Sequence, residues 1–178
     1  MMSIECQGSP PLNILAGSNL PNYNIEKGFL EIEGKIYYTR WVYGNSIIKG
    51  LKNLPQIAGQ FLNAPYLWGG RSVFGCDCSG FVQLVYKILG VSLERDSVKQ
   101  AEQGTVVASL SKSRPGDLAF FINEEGRIYH VGLILSPEEI IHSSGYVRKD
   151  KLDETGIYYS ETREYTHRLY IIKRPDRH

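Results

Sequence analysis

Apolar side chains at Leu54, Ile57, Ala58, Phe61 and Leu62 recur with the spacing of a single helical stripe. The stripe predicts a helix that ends at Ala64-Pro65, because a residue preceding proline disfavours the α region. Phe81, Val82, Val85, Ile88 and Leu89 repeat the pattern. They predict a second helix that starts at Cys78 or Ser79 and stops at Gly90. A third, short helix is predicted from Asp96-Ser97 to Gly104, with Ser97 and Gln100 spaced as a capping box. Beyond Arg114-Pro115-Gly116-Asp117 the helical period disappears. Leu118–Ile122, residues 128–135 and residues 139–143 read as strands, with turns at 123–126 and 136–138. Tyr158-Tyr159 and residues 169–172 read as further strands. Helices first and antiparallel strands second predict an α+β domain.

Residues 1–50 follow another pattern. Pro10, Pro11 and Pro21 precede an alternating aromatic stretch over 29–42, in which Glu33-Gly34-Lys35 separates two strand-like runs. That is the signature of a β-hairpin. The expected division is therefore an N-terminal β segment, 1–50, followed by a main domain, 51–178. A chain of 178 residues holds one full core and leaves too little for a second large one.

Charge and composition narrow the function. Twenty Lys+Arg against nineteen Asp+Glu leave a net +1, with no basic block. A nucleic-acid binder normally shows a basic face, so no nucleic-acid partner is expected. No stretch is long enough to span a bilayer, and the first residues lack the basic patch and apolar run of a secretory signal. As given, the chain is expected in the cytoplasm and off the membrane; a cell-envelope location is expected if it is part of something longer. Three cysteines are too few for a disulfide scaffold and fit free thiols.

Two features bring chemistry in. Cys78 sits where a glycine-containing loop meets a helix N-terminus, whose backbone N–H groups favour a thiolate. Ser79 and Gly80 beside it are small enough to let a substrate backbone approach. Of four histidines, His130 and His142 fall on adjacent predicted strands; His167 and His178 lie near the chain end and are read as bystanders. A hairpin would put the first two rings on one face if its paired residue numbers add to an even value, such as 132 with 142. A one-residue slip sends them to opposite faces, and the sequence leaves the register open. In the even register His142 can hold one nitrogen of His130 while the other faces Cys78, which is the logic of a nucleophile, a base and an orienter. The bland readings stand beside this one: a small buried cysteine, and strand histidines satisfied by their neighbours.

Tyr66-Leu67-Trp68-Gly69-Gly70, Asp77-Cys78-Ser79-Gly80, Pro115-Gly116-Asp117-Leu118, His130-Val131-Gly132 and His142 resemble, in that order, the NlpC-type cell-wall endopeptidase family. The resemblance covers roughly residues 54–172. It implies a papain-like α+β fold, a Cys78-His130-His142 triad, no cofactor, and hydrolysis of amide bonds in peptidoglycan stem peptides. Tyr66 to Ser72 and Arg95-Asp96-Ser97 look like the γ-D-glutamyl-L-diamino-acid endopeptidase subgroup (dipeptidyl-peptidase VI). Its substrates are free muropeptides of the form L-Ala-γ-D-Glu-diamino acid. By that resemblance Tyr66, Asp77, Ser79, Asp96 and Ser97 line the substrate site, with Tyr66 at the oxyanion. Each has a structural reading too: Asp96 and Ser97 as a helix cap, Asp77 as a first-turn acid, Tyr66 as packing. Trp68 and Phe74 read as wall.

The sequence departs from the subgroup in two places. Cys76 replaces an apolar residue and reads as buried filler. The subgroup also carries SH3-like domains ahead of the catalytic one, whereas residues 21–41 resemble only the tail of such a domain. Selection for a free N-terminal alanine would then require an additional SH3-like domain or chain to complete the site. Three alternatives remain: a zinc site built from Cys76, Cys78, His130 and His142, although C-x-C is too tight for most such sites; a wall-peptide-binding module without turnover; and an acyltransferase or amidase using the same triad.

Overall fold

Strands β1 (Met2–Glu5), β2 (Leu12–Ile14), β3 (Phe29–Ile32) and β4 (Lys35–Trp41) form an antiparallel sheet of order β2-β1-β4-β3. The expected hairpin is its β3–β4 edge. Glu33 and Gly34 take left-handed φ values of 51° and 74°, as a two-residue turn between twisted strands requires. The computed structural model describes residues 2–41 and 53–176. The chain divides into two units, Met1–Ile47 and Ile48–His178. The boundary expected at 50/51 lies outside the described residues.

The second unit mixes helix and sheet and is rich in strand. It contains α1 (Leu54–Gly59), β5 (Arg71–Ser72), β6 (Gly75–Cys76), α2 (Cys78–Ile88), α3 (Ser97–Glu102) and β7 (Thr105–Val106). The run then continues with β8 (Leu118–Ile122), β9 (Ile128–Ser136), β10 (Glu139–Ser144), β11 (Tyr146–Leu152), β12 (Gly156–Tyr159) and β13 (Glu164–Arg174). Strand order is β12-β11-β10-β9-β8-β13-β7, and an additional β12–β13 pairing closes the first six into a barrel. The outer face carries Leu118, Phe120, Val131, Leu133, Ile141 and Val147, which pack against the buried stripe of α2 and against α1. The inner face carries Ala119, Phe121, Ile134, Ile140, Leu152, Ile157 and Ile172.

One predicted element is shorter than expected. α1 stops at Gly59, not at Ala64. The next three N–H groups bond carbonyls three residues back (Gln60 to Ile57, Phe61 to Ala58, Leu62 to Gly59). Asn63 then turns left-handed at φ 68°. The chain leaves the helix there because Asn63 N–H and Ala64 C=O are used to bind Val147 of β11. That contact stitches the loop ahead of Cys78 to the barrel.

The β9–β10 hairpin decides where the histidines point. Its turn pairs Ser136 with Glu139, an odd register that would place the two rings on opposite faces. A bulge at Leu135 shifts the pairing to Ile134–Ile140 and Leu133–Ile141. This is the even register. It sets Gly132 opposite His142, so closely that a Cβ on Gly132 would lie 2.9 Å from that of His142.

Candidate active site

Cys78 is the first residue of α2, and Asp77 is its N-cap. The Asp77 carboxylate is saturated. Oδ1 accepts from Gly80 N–H at 2.7 Å and Oδ2 from Gly69 N–H at 2.8 Å, while Arg95 grips both oxygens. Burial pushes this carboxyl up, but the Arg95, Gly80 and Gly69 bonds outweigh it and hold its pKa below the ordinary value. Gly80 is small for a reason other than the one expected. A Cβ there would lie 2.3 Å from the carbonyl oxygen of Gly70. The gap admits the Tyr66–Arg71 loop, not a substrate backbone. Tyr66 N–H binds Gly145 C=O in the β10–β11 turn, and Cys76 N–H binds Pro65 C=O, so this loop is pinned on both sides of Tyr66.

The imidazoles of His130 and His142 meet inside the barrel end. His130 Nε2 lies 2.8 Å from His142 Nδ1, and His142 Nε2 lies 2.9 Å from Asp150 Oδ2. His142 is 0% exposed. Arg148 holds the same Asp150 oxygen through Nε at 2.9 Å, donates to Ser144 C=O, and sits 4.2 Å over the Tyr159 ring. Burial pushes the His130 pKa well below the usual imidazole range, and the neighbouring His142, His167 and Arg148 push the same way. Burial lowers His142 too, against the opposing pull of Asp150.

The Cys78 sulfur reaches this group through the backbone. The β9–β10 pairing ends at Leu133–Ile141. Two residues further along β9, the N–H of Val131 points at the sulfur instead. The nucleophile candidate therefore sits beside the residue that follows His130. The expected thiolate does not result, however. Burial raises the Cys78 pKa; the amides of Val131, Ser79 and Cys78 lower it, but they do not overcome burial and the Asp77 charge. At rest the site holds a neutral thiol and neutral imidazoles. Burial raises the Tyr66 and Tyr129 phenols, and a thiolate at Cys78 would raise both further, so each stays a hydrogen-bond donor at neutral pH.

The remaining predicted residues fall as follows. Ser79 is buried and accepts from Arg95 at 2.9 Å. Asp96 is exposed and Ser97 half-buried at the start of α3. The capping box is not formed. Asp96, not Ser97, is the N-cap, and no side chain caps this helix. Gln100 turns away to donate to Ser79 C=O and Glu94 C=O, binding α3 to α2. Cys76 is buried, its thiol pushed up to about 11 mainly by burial, as filler should be. Trp68 (85%) and Phe74 are exposed. His178 lies outside the described residues.

Three residues of the site have no signal in the sequence, and a fourth is no bystander. His167, near the chain end, lies in β13, with its ring 4.1 Å from that of His130 and stacked on Tyr129. Tyr129 is the extra residue of a bulge, since Phe121 pairs with His130 and Ile122 with Ile128. Arg148 and Asp150 belong to β11, a strand the hydrophobic pattern does not announce. Nothing in the sequence signals that Arg95 pairs with Asp77.

That pairing yields a prediction. Asp77→Ala should destabilise the second unit by about 3 kcal/mol, combining loss of an N-cap with loss of a buried partner for a partly exposed Arg95. Urea unfolding measures it. A change below about 1 kcal/mol would show the carboxylate to be spare and free for a ligand.

Comparison with known proteins gives a consistent picture. The NlpC/P60 family pattern matches residues 63–167. A Bacillus subtilis protein named gamma-D-glutamyl-L-lysine dipeptidyl-peptidase is 45% identical over 94 residues, 52% of this chain and 31% of that protein. The Bacillus cereus protein of the same name is 40% identical over 85 residues, 47% of this chain and 25% of that protein. The aligned part is thus less than a third of the length of these curated relatives. A solved NlpC/P60 family protein from Bacillus cereus superposes with a TM-score of 0.75 over 97% of this chain and 59% of its own, at 24% identity, a likeness of fold.

Proposed function

Because this chain belongs to the NlpC/P60 family, we propose that it is a cysteine peptidase of peptidoglycan stem peptides, with Cys78 as nucleophile, His130 as base and His142 as its orienter. The observation that carries this reading is the convergence of three parts distant in the chain. The α2 N-terminus presents its thiol to the Val131 amide, and the preceding residue, His130, is locked to His142 at 2.8 Å. In this reading the fold is papain-like, a thiol on a helix end set against a base on a barrel wall. In the same reading the N-terminal sheet is SH3-like.

The chemistry follows from the protonation states. With both partners neutral, the thiol loses its proton to His130 as Sγ attacks the scissile carbonyl. The developing oxyanion takes hydrogen bonds from the Cys78 N–H and the Tyr66 hydroxyl, which burial keeps protonated. The C–N bond breaks as His130 returns the proton to the leaving amine. Water, deprotonated by His130, then attacks the thioester and Sγ departs as the thiol.

The names carried by the Bacillus relatives support a specific bond, between γ-D-glutamate and an L-diamino acid. Asp96 and Ser97, exposed and half-buried beside Arg95, are assigned to substrate contact together with Tyr66, Ser79 and, through Arg95, Asp77. Incubation with L-Ala-γ-D-Glu-L-Lys, N-terminally free or acetylated, should release L-Ala-γ-D-Glu and lysine from the free peptide, as read by mass. Intact peptide, or cleavage at another bond, overturns the assignment. Equal cleavage of the acetylated peptide removes the selection for a free amine.

A further inference from the structure

The hydrogen-bond chain that starts at His130 does not end at His142. It continues across the next strand to Asp150 Oδ2 at 2.9 Å, and from there to Arg148 Nε at 2.9 Å. We propose that Asp150, held by Arg148, is a positioning residue that sets the tautomer of both imidazoles and so leaves His130 Nδ1 unprotonated. This rests on the cysteine-peptidase reading above for its consequence, though not for its geometry.

Asp150 is almost fully buried, with side-chain exposure of 5%. Burial raises its pKa, but bonds from His142 and Arg148 more than reverse this, so the group is an ionised acceptor. An acceptor at Oδ2 requires the hydrogen of His142 on Nε2. A neutral ring protonated there offers a lone pair at Nδ1. The atom facing that lone pair, His130 Nε2, must then be the donor. The second nitrogen of His130 is left bare, as a general base demands. One carboxylate thus fixes two rings.

The register makes this possible. Arg148 pairs with His142, and Asp150 with Ile140, across β10–β11. Residues 142, 148 and 150 therefore share the inner face, and Asp150 reaches His142 along the diagonal. Arg148 is itself clamped between the Tyr146 and Tyr159 rings, so it holds the carboxylate from a fixed place.

Asp150→Ala is the test, because Arg148 Nε and His142 Nε2 bond the same Oδ2 and an asparagine oxygen there could accept from both. With no side-chain oxygen, His142 Nε2 loses its acceptor and is left near the Arg148 cation, so that ring's hydrogen moves to Nδ1 and, in turn, His130's hydrogen to its own Nδ1. Loss of the aspartate that orients a catalytic histidine directly costs about 10⁴-fold in kcat. Acting through two rings, the loss here should be about 10²- to 10³-fold in kcat with KM little changed. Imidazole ¹⁵N shifts of the full chain should show Nε2–H on His130 and His142 in the wild type and Nδ1–H on both in the variant. A merely structural role would not exchange the tautomers. Wild-type rings carrying Nδ1–H overturn the proposal whether or not the variant folds, and so do unchanged tautomers in a folded Asp150→Ala protein. An effect confined to KM does the same. If the wild type cleaves no wall peptide, the peptidase reading falls while the tautomer measurement still judges Asp150.

Discussion

Cys78→Ala should reduce hydrolysis of L-Ala-γ-D-Glu-L-Lys by about 10⁴-fold or more while leaving the fold intact, since a nucleophile's loss removes the covalent route altogether. The site predicts both halves of that statement. Cys78 is 7% exposed at the first position of α2, where the helix is capped through Asp77 and not through the thiol. A methyl group in its place costs at most about 1 kcal/mol in stability. Thermal unfolding of the variant should therefore overlay closely on the wild type, while product release measured by mass disappears. His130→Ala should fall to a similar floor, and the double variant no further, because nucleophile and base act as one unit. A Cys78→Ala protein with wild-type turnover would end the assignment. A multiplicative double variant would mean that the two side chains work independently.

How much of this was legible beforehand follows from what each element is made of. α2, β8 and the cores of β9 and β10 bury apolar side chains at regular spacing, so the pattern places them to within a residue or two. β11 escapes the pattern because its inward positions, Arg148 and Asp150, are charged; its buried apolar residues are Val147 and Leu152 alone. The strand lacks the hydrophobic signal because its inner face serves the histidines. The same holds for His167, whose neighbours in sequence are Thr166 and Arg168 and whose partners, His130 and Tyr129, lie on another strand. The register of the two histidines was open for a different reason. It is decided by a bulge at Leu135, a residue whose side chain has no feature that requests one. Asp77 shows the converse: its acid was visible, but its saturation by Arg95 depends on a loop geometry that only the fold supplies.

Acid should unfold this protein unusually early, and the cause is the cluster that serves its chemistry. Burial, with help from His142 and Arg148, holds the His167 pKa down to about 3 against an ordinary value of 6.5. Above pH 6.5 neither state is protonated and the ring contributes no pH dependence. Below it the unfolded chain takes up a proton that the folded chain refuses, so stability falls with pH until about 3. The slope is about 1.4 kcal/mol per pH unit for each such ring, so at pH 4.5 His167 alone costs about 2.7 kcal/mol. His130 and His142, lowered in the same direction by burial, steepen the loss. Asp77 and Asp150, whose folded pKa values lie below ordinary, add theirs as pH drops below the unfolded carboxylate range. Against a total stability of about 5–15 kcal/mol this is a large share. The urea midpoint should hold steady from pH 8 to 7 and drop sharply from 6.5 to 4.5. In His167→Phe, which keeps a ring between Tyr129 and His130, the slope should be shallower by up to about one proton. Equal slopes in the two proteins, or a midpoint flat down to pH 4.5, would mean that water reaches these rings and that the barrel end is open where the geometry has it closed.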